Sequence, residues 1–215
     1  MDTPKISIIL PTYNVENFLK QCLDSIAAQT YTNIEVIIII DGATDRSYEI
    51  AQEFCQKDSR FNVYWQNNAG SGPARNNGID RATGEFIMFV DPDDWCLPTY
   101  VGNLLELQQE GNYDIVTTSE TTIYFSKSGK IKKILPPHFK EGSYKGGQQL
   151  HEKYLSFFLN GYIHAPHCKI YKADIIKNNN IRFPNVRRSQ DIIFNYRYYD
   201  HAQSILISNY SGYMY

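Results

Sequence analysis

The chain of 215 residues contains no apolar run long enough to cross a bilayer. Its longest run, VIIII at 36–40, is far shorter than the roughly 20 apolar residues that a membrane helix needs. The first residues also lack the basic start and the long apolar middle of a secretory signal peptide. We therefore expect a cytoplasmic protein, whose contact with the inner face of a membrane would be peripheral.

The chain has no large excess of positive or negative charge. Lysine and arginine number 21 and aspartate and glutamate 23, which leaves a formal net charge of -2. Overall electrostatics therefore give no reason to expect nucleic acid as a partner, and an anionic ligand must be bound by local groups. The four cysteines are far apart with no C-x-x-C pair, which argues against a zinc knuckle or a disulfide framework and favours a reducing compartment.

Strand and helix patterns alternate along residues 5–118. The segments KISIIL at 5–10 and IEVIIII at 34–40 are nearly uninterrupted apolar runs, which is typical of strands covered on both faces. An amphipathic helix pattern separates them, and the same order recurs up to a strand at 114–118. This alternation predicts an α/β fold with a central, mostly parallel sheet flanked by helices.

The pattern changes after residue 119, where TTIYFSKSGKIKKIL predicts two strands around a Ser-Gly turn. The remaining sequence is richer in proline, glycine, histidine and aromatics, so we expect an irregular α+β second half. No flexible linker separates the halves, so residues 1–215 are predicted to form a single domain. The final SNYSGYMY is typical of an interrupted strand, which favours a domain truncated at its C-terminus.

Polar residues follow the predicted strands at the edge where open parallel sheets collect ligands. Three carboxylates, Asp91, Asp93 and Asp94, come directly after the apolar strand in GEFIMFVDPDDW. Crowded carboxylates repel one another, and a divalent cation such as Mg²⁺ or Mn²⁺ relieves this repulsion with all-oxygen ligation. The alternative is that these residues cap the next helix or form a solvated turn.

The loop NNAGSGPARNNG at 67–78 contains Gly70-x-Gly72, the start of a dinucleotide-binding pattern. Arg75 stands where that pattern requires glycine, and the loop follows the acidic strand end instead of preceding it, so a Rossmann site is not expected. The loop either offers backbone amides and a guanidinium to an anionic group or a nucleobase, or is a tight turn with a surface arginine.

Three segments carry further motifs in order. They are ISIILPTYNVENFLKQCLDSIAAQTYTNIEVIIIIDGATDRS, NAGSGPARNNGIDRATGEFIMFVDPDDW and RRSQDIIFNYRYY. Together they resemble the family 2 glycosyltransferases with the GT-A fold. The resemblance implies a nucleotide-diphosphate sugar as donor, most typically a UDP-sugar, and Mn²⁺ or Mg²⁺ at the D-x-D motif. It further implies transfer with inversion to a carbohydrate or lipid-linked sugar acceptor, in the assembly of cell-surface polysaccharide.

The resemblance also assigns roles to residues. The donor-binding residues would be Pro11, Thr12, Tyr13, Asp41, Arg75 and Asp91, the metal ligands Asp93 and Asp94, and the catalytic base Asp191. Residues 1–119 would then form the nucleotide-binding half and residues 120–215 the acceptor-binding half. A different reading of Asp191 is a residue at a helix start, stabilised by the helix dipole and capped by Ser189.

Two other classes of function remain open. A carbohydrate- or nucleotide-binding module without activity is favoured by Ile40 and Gln190, which stand where the family commonly has acidic residues. A metal-dependent nucleotidyltransferase also uses clustered aspartates, but PTYN after the first strand lacks a basic phosphate-binding loop.

Two downstream segments carry weaker signals. His164 and His167 in HAPHCK favour a loop or the wall of an acceptor pocket over a zinc site. The segment KSGKIKK at 127–133 is either a contact for acidic lipid headgroups or a solvated strand edge.

Overall fold

A computed structural model describes residues 3–126 and 128–215. Strands and helices alternate in the first half, as predicted. The elements are β1 (Ile6–Thr12), α1 (Glu16–Ala27), β2 (Ile34–Asp41), α2 (Ser47–Lys57), β3 (Phe61–Gln66), α3 (Ser71–Arg81), β4 (Phe86–Phe89), β5 (Trp95–Cys96), α4 (Tyr100–Gly111) and β6 (Ile115–Thr118).

The second half is irregular and mixes short strands with helices. It contains β7 (Thr122–Phe125), β8 (Ile131–Leu135), β9 (Gly142–Lys145), α5 (Gly147–Leu159), β10 (Lys169–Lys172), α6 (Ala173–Asn178), α7 (Gln190–His201), β11 (Ser204–Ser208) and β12 (Tyr213–Met214). The predicted two strands around a Ser-Gly turn are the antiparallel pair β7 and β8. Lys127, part of the predicted basic segment, lies outside the described residues.

One eight-stranded sheet has the order β3-β2-β1-β4-β10-β6-β11-β9, so it contains strands from both halves of the chain. The strands from β3 to β4 are mutually parallel. Strand β10 lies antiparallel between β4 and β6, although the sequence pattern did not predict it. The predicted α/β fold with a mostly parallel sheet is confirmed, with β10 and β9 as its antiparallel members.

The sheet separates two apolar layers. Because successive side chains of a strand point to opposite faces, Ile8 and Leu10 of β1 pack in one layer, while Ile9 packs in the other. Helix α3 lies very close to β1, since a Cβ added at Gly78 would be 2.3 Å from Cγ2 of Ile9. The start of α3 is thereby held at the carboxyl end of the parallel strands.

Strand register brings the polar strand ends to one edge. Thr12 at the end of β1 pairs with Ile40 of β2, and Ile9 pairs with Phe89 of β4. Asp41 at the end of β2 and Asp91 just after β4 therefore lie beside the end of β1, roughly 10 Å apart across two strand spacings. Within the part of the chain that the structure describes, no helix has the length and apolar character to cross a membrane.

Candidate active site

Arg75 of α3 connects two carboxylates that are distant in the sequence. Its guanidinium is buried, and its Nη2 lies 2.7 Å from Oδ1 of Asp91, while Nη1 lies 2.8 Å from Oδ1 of Asp191. The sequence predicted Asp91 and Asp191 as site residues, and Arg75 brings them together. Because these two donors already bind protein carboxylates, the structure gives Arg75 a positioning task that the sequence reading did not include. Its contact with a nucleotide stays a prediction.

His167 extends this arrangement on the other side of Asp91. Its Nδ1 lies 3.1 Å from Oδ2 of Asp91, and its Nε2 lies 2.8 Å from Oε2 of Glu120. Burial by itself would lower the pKa of His167, but the hydrogen bonds and charges of Asp91 and Glu120 raise it to about 9. The imidazole is therefore positively charged at neutral pH, and the chain from Asp191 through Arg75, Asp91 and His167 to Glu120 alternates in charge.

Asp91 is consequently a firmly ionised carboxylate. Burial would raise its pKa, yet the charges of Arg75 and His167 hold the pKa of Asp91 well below its usual range. Its remaining exposure is small, with 23% of the side chain accessible. Asp91 is thus fixed in place and in charge before any ligand binds.

Asp94 has the opposite electrostatics. Burial, reinforced by the charges of Asp91 and Asp93, raises the pKa of Asp94 to about 7. The hydroxyl of Tyr213 donates a 2.6 Å hydrogen bond to Oδ2 of Asp94 and accepts a 3.0 Å bond from the backbone N–H of Asp91. Tyr213 is held there by the antiparallel pairing of β12 with β5, in which it faces Cys96. Tyr213, which follows Asp91 by 122 positions, therefore holds the acidic loop in place through these hydrogen bonds.

The residues of this loop fit a divalent cation. Ligand atoms of Asp91, Asp94 and His167 all lie within 4.8 Å of one another. His167 is an unsuitable ligand, because a protonated imidazole with both nitrogens hydrogen-bonded has no free lone pair. Asp94 is a carboxylate that resists ionisation until a positive charge is close, and Asp93 beside it is exposed. Oxygen donors of this kind suit Mg²⁺ or Mn²⁺; coordination by Asp93 and Asp94 stays a prediction.

Asp41, predicted to be a donor-binding residue, holds the glycine loop in place in the structure. It is buried, and its oxygens accept hydrogen bonds from Nε2 of Gln66 at 2.7 Å and from the backbone N–H groups of Ala69 at 2.9 Å and Gly70 at 2.8 Å. These bonds fix the chain that enters α3 and so support the placement of Arg75.

The other donor-binding residues predicted from the sequence lie at the end of β1. Pro11 and Thr12 are buried there, and only Tyr13 is exposed, with 50% of its surface accessible. Tyr13 is therefore the member of this group best placed to meet a ligand. The predicted contacts of these residues with the donor stay predictions.

Asp191 lies in the first turn of α7, and burial raises its pKa against the opposing charge of Arg75. Ser189 makes no capping hydrogen bond, so the reading of Asp191 as part of a serine-capped helix start is not supported. The helix start is fixed instead by Gln190, whose Nε2 donates a 2.6 Å bond to Oγ of Ser71. A Cβ at Gly72 would lie 2.2 Å from Oε1 of Gln190, so a larger residue there would displace this side chain.

Sequence reasoning missed Glu120 and Tyr213 and left the task of His167 open. None of these residues belongs to a recognisable motif, and their partners lie between 47 and 122 positions away. The signal that existed was HAPHCK, read as a loop or pocket wall. His164 and His167 do line one cavity, together with Glu120.

The mixed sheet with acidic residues beyond its parallel strands is the GT-A fold of nucleotide-sugar enzymes. The model of the family described as "Glycosyl transferase family 2" matches residues 7–179, and the chain belongs to this family. Crystal structures confirm the fold: S. aureus TarS in complex with UDP-GlcNAc superposes with a TM-score of 0.79 at 25% identity, covering 98% of this chain and 58% of that one.

Curated relatives include "Glycosyltransferase GlyA" of Streptococcus pneumoniae serotype 4, 35% identical over 98% of this chain and 30% of that protein. "Putative glycosyltransferase EpsH" of Bacillus subtilis is 32% identical over 95% of this chain and 58% of its own length. The chain thus spans less than two thirds of either relative.

Proposed function

We propose that this chain transfers a sugar from a nucleotide-diphosphate sugar, a UDP-sugar in the first instance, to a carbohydrate or lipid-linked sugar acceptor with inversion, in cell-surface polysaccharide assembly. The observation that carries the proposal is the bridge of Arg75 between Asp91 and Asp191 at the carboxyl edge of a family 2 sheet. The complex of TarS with UDP-GlcNAc supports the donor class.

The donor would bind across the ends of β1, β2 and β4. Tyr13 is exposed there to pack against the base, and the loop fixed by Asp41 forms the adjoining wall. Asp91, held ionised, offers a carboxylate oxygen to ribose hydroxyls. A Mn²⁺ or Mg²⁺ ion held by Asp93 and Asp94 would stabilise the negative charge that develops on the departing diphosphate.

Asp191 is the proposed general base. An attacking acceptor hydroxyl must lose its proton, and a carboxylate that receives it contributes about 10²–10⁴ in rate. Burial raises the pKa of Asp191, which brings it closer to the operating pH and strengthens it as a base. Arg75 orients this carboxylate through a hydrogen bond to Oδ1. Oδ2 has no hydrogen-bond partner among the described residues, so it is available to the acceptor hydroxyl.

The rival functions make different predictions. A binding module without activity would bind nucleotide and consume no donor. A nucleotidyltransferase would need a basic side chain for the phosphates near the end of β1. Pro11 and Thr12 end that strand and Tyr13 and Asn14 follow it, and none of the four is basic. The geometry favours the glycosyltransferase because a second carboxylate, Asp191, stands beside the donor site.

The β7–β8 hairpin is the proposed peripheral membrane contact. It exposes the apolar side chains of Phe125, Ile131 and Ile134 beside the lysines 132 and 133. Apolar groups next to positive charge suit an anionic lipid surface. Sedimentation of the protein with vesicles of phosphatidylglycerol, but not with vesicles of phosphatidylcholine, would support this contact. Sedimentation with neither kind of vesicle would refute it.

Thermal stabilisation tests the donor site directly. A ligand that binds only the native state raises its stability by mass action, by about 2.7 kcal/mol at 100 times its dissociation constant. We expect a nucleoside diphosphate, UDP first among a panel with GDP, ADP, CDP and TDP, to raise Tm when Mn²⁺ is present and less when it is absent. Stabilisation by none of them would contradict the proposal.

A further inference from the structure

A cavity of about 330 Å³ is lined by Glu120 and by other residues of the second half of the chain. His167 itself forms part of its wall, with Nε2 turned to Glu120 and Nδ1 turned to Asp91. Every lining residue comes from position 118 onward, so the cavity is separate from the donor-binding segments. Its volume is at the lower end of small-molecule sites, which hold roughly 300–1,000 Å³.

Glu120 gives this cavity a charged hydrogen-bond acceptor. Its Oε2 is bound to His167, whereas its Oε1 has no hydrogen-bond partner in residues 3–126 and 128–215. The hydrogen bond from His167 lowers the pKa of Glu120, which is therefore a carboxylate at neutral pH. His138 and His164 add imidazole nitrogens to the same wall. A hydroxyl-rich ligand matches these hydrogen-bonding groups.

Aromatic rings form the apolar part of the wall. Tyr215 is 54% exposed and stacks on His167 with ring centroids 6.1 Å apart. Backbone hydrogen bonds with Thr121 at 3.0 Å and Ile123 at 2.8 Å hold its main chain in place. Phe139 lines the cavity as well and packs against Tyr162. Rigid aromatic faces bury apolar surface at little entropic cost, and the C–H face of a sugar ring is such a surface.

The wall of the cavity is joined to the helix that carries the proposed base. Asn195, one turn after Asp191 in α7, donates a 2.9 Å hydrogen bond from its Nδ2 to the carbonyl oxygen of Ala165, which lines the cavity. Lys169 is buried and its Nζ donates to the carbonyl oxygen of Ala165 at 2.6 Å, which fixes this wall. The first turns of α7, which carry Asp191, are therefore fixed to the wall of the cavity.

We propose that this cavity binds the terminal pyranose ring of the acceptor, with Tyr215 packed against the ring and Oε1 of Glu120 accepting a hydrogen bond from a ring hydroxyl. The proposal rests on the proposed function, because it takes the side of Asp191 as the acceptor side. It names a neutral, hydroxyl-bearing sugar as the ligand class and Glu120 as the residue that determines its specificity.

Saturation-transfer NMR with methyl glycosides tests the site without requiring turnover. The probes are the methyl β-glycosides of glucose, galactose and N-acetylglucosamine, each at millimolar concentration. We expect at least one to bind the parent, and Glu120→Gln and Tyr215→Ala to weaken that binding by roughly tenfold or more, since the first variant replaces a charged hydrogen-bond acceptor by a neutral amide. The matched controls Glu110→Gln and Tyr124→Ala, which alter an exposed glutamate and an exposed tyrosine elsewhere, should bind like the parent.

Binding of no probe, or equal binding by the parent and both cavity variants, would overturn the proposal. A folded state for each variant is verified by its Tm. Failure of the proposed function is a separate result, because it appears as absent stabilisation by nucleoside diphosphates with Mn²⁺. If turnover is observed, Glu120→Gln should reduce kcat/KM for the acceptor roughly ten- to hundredfold.

Discussion

Nη1 of Arg75 lies 2.8 Å from Oδ1 of Asp191, and the two residues are 116 positions apart in the sequence. This ion pair, with the one from Nη2 to Asp91, joins the glycine-loop helix α3 to the acidic loop and to the start of α7. The carboxylate proposed to bind the ribose and the carboxylate proposed to act as general base are therefore positioned by one buried cation.

Removing the guanidinium of Arg75 should lower the free energy of unfolding. Arg75→Met leaves Asp91 and Asp191 without their shared partner, and breaking a buried ion pair destabilises by about 3–5 kcal/mol. The matched control is Arg182→Met, which breaks a largely exposed pair with Asp80 and should cost about 0–1 kcal/mol. Urea unfolding measures both. Equal losses in the two variants would show that Arg75 has no special role in the site.

The contribution of the Tyr213 hydroxyl to the free energy of unfolding should also be measurable. Tyr213→Phe removes the bonds to Asp94 and to the Asp91 backbone, and we expect a loss of about 1.5–3 kcal/mol in the free energy of unfolding. Tyr100→Phe is the control, because that buried hydroxyl has no partner among the residues the structure describes. Removing it should be neutral or stabilising. A larger loss for Tyr100→Phe than for Tyr213→Phe would contradict the described loop geometry.

The charge of His167 predicts a pH dependence of stability. Its folded-state pKa of about 9 is above the ordinary value of 6.5, so the folded protein binds this proton more tightly than the unfolded chain. The stabilisation is fully present below pH 6.5 and is lost as pH rises through about 9. We expect His167→Gln to abolish this decline, and His151→Gln, at an exposed pair with Asp200, to keep it. An NMR titration in which no histidine retains its proton above pH 8 would refute the assignment.

The close packing of α3 on β1 gives a prediction that is independent of charge. Gly78→Ala places a methyl group 2.3 Å from Cγ2 of Ile9, and we expect overpacking to cost about 1–3 kcal/mol. Gly102→Ala in α4 meets its nearest neighbour, Cβ of Tyr31, at 3.9 Å, so helix propensity should stabilise it by up to about 1 kcal/mol. Thermal unfolding of both variants decides the matter, since a stabilised Gly78→Ala would mean that α3 lies farther from the sheet.

The local parts of the fold could be predicted from the sequence. The runs that became β1, β2 and β4 are apolar on both faces, and the hairpin of β7 and β8 has a clear turn signal. Strand β10 could not be predicted in the same way, because its short sequence KIYK has a lysine at each end and its partners lie far away in the sequence. Its place between β4 and β6 is determined by tertiary pairing.

The same distinction between local and long-range features applies to the candidate site. Asp91, Asp93, Asp94 and Asp191 were predicted from strand ends and from a family resemblance. The pairings of Arg75 with Asp191, of His167 with Glu120 and of Tyr213 with Asp94 were not, because each joins residues 47 to 119 positions apart. A single sequence carries no pattern for such contacts.

The central claim is that Asp191 accepts the proton of the attacking acceptor hydroxyl, while other residues bind the donor. The most direct measurement is transfer of a labelled sugar by Asp191→Asn, with donor binding measured by calorimetry and Asp200→Asn on the same helix as the control. The account predicts a rate lower by about 10²–10⁴, unchanged donor affinity and a control like the parent. Transfer by Asp191→Asn at the parent rate would contradict it.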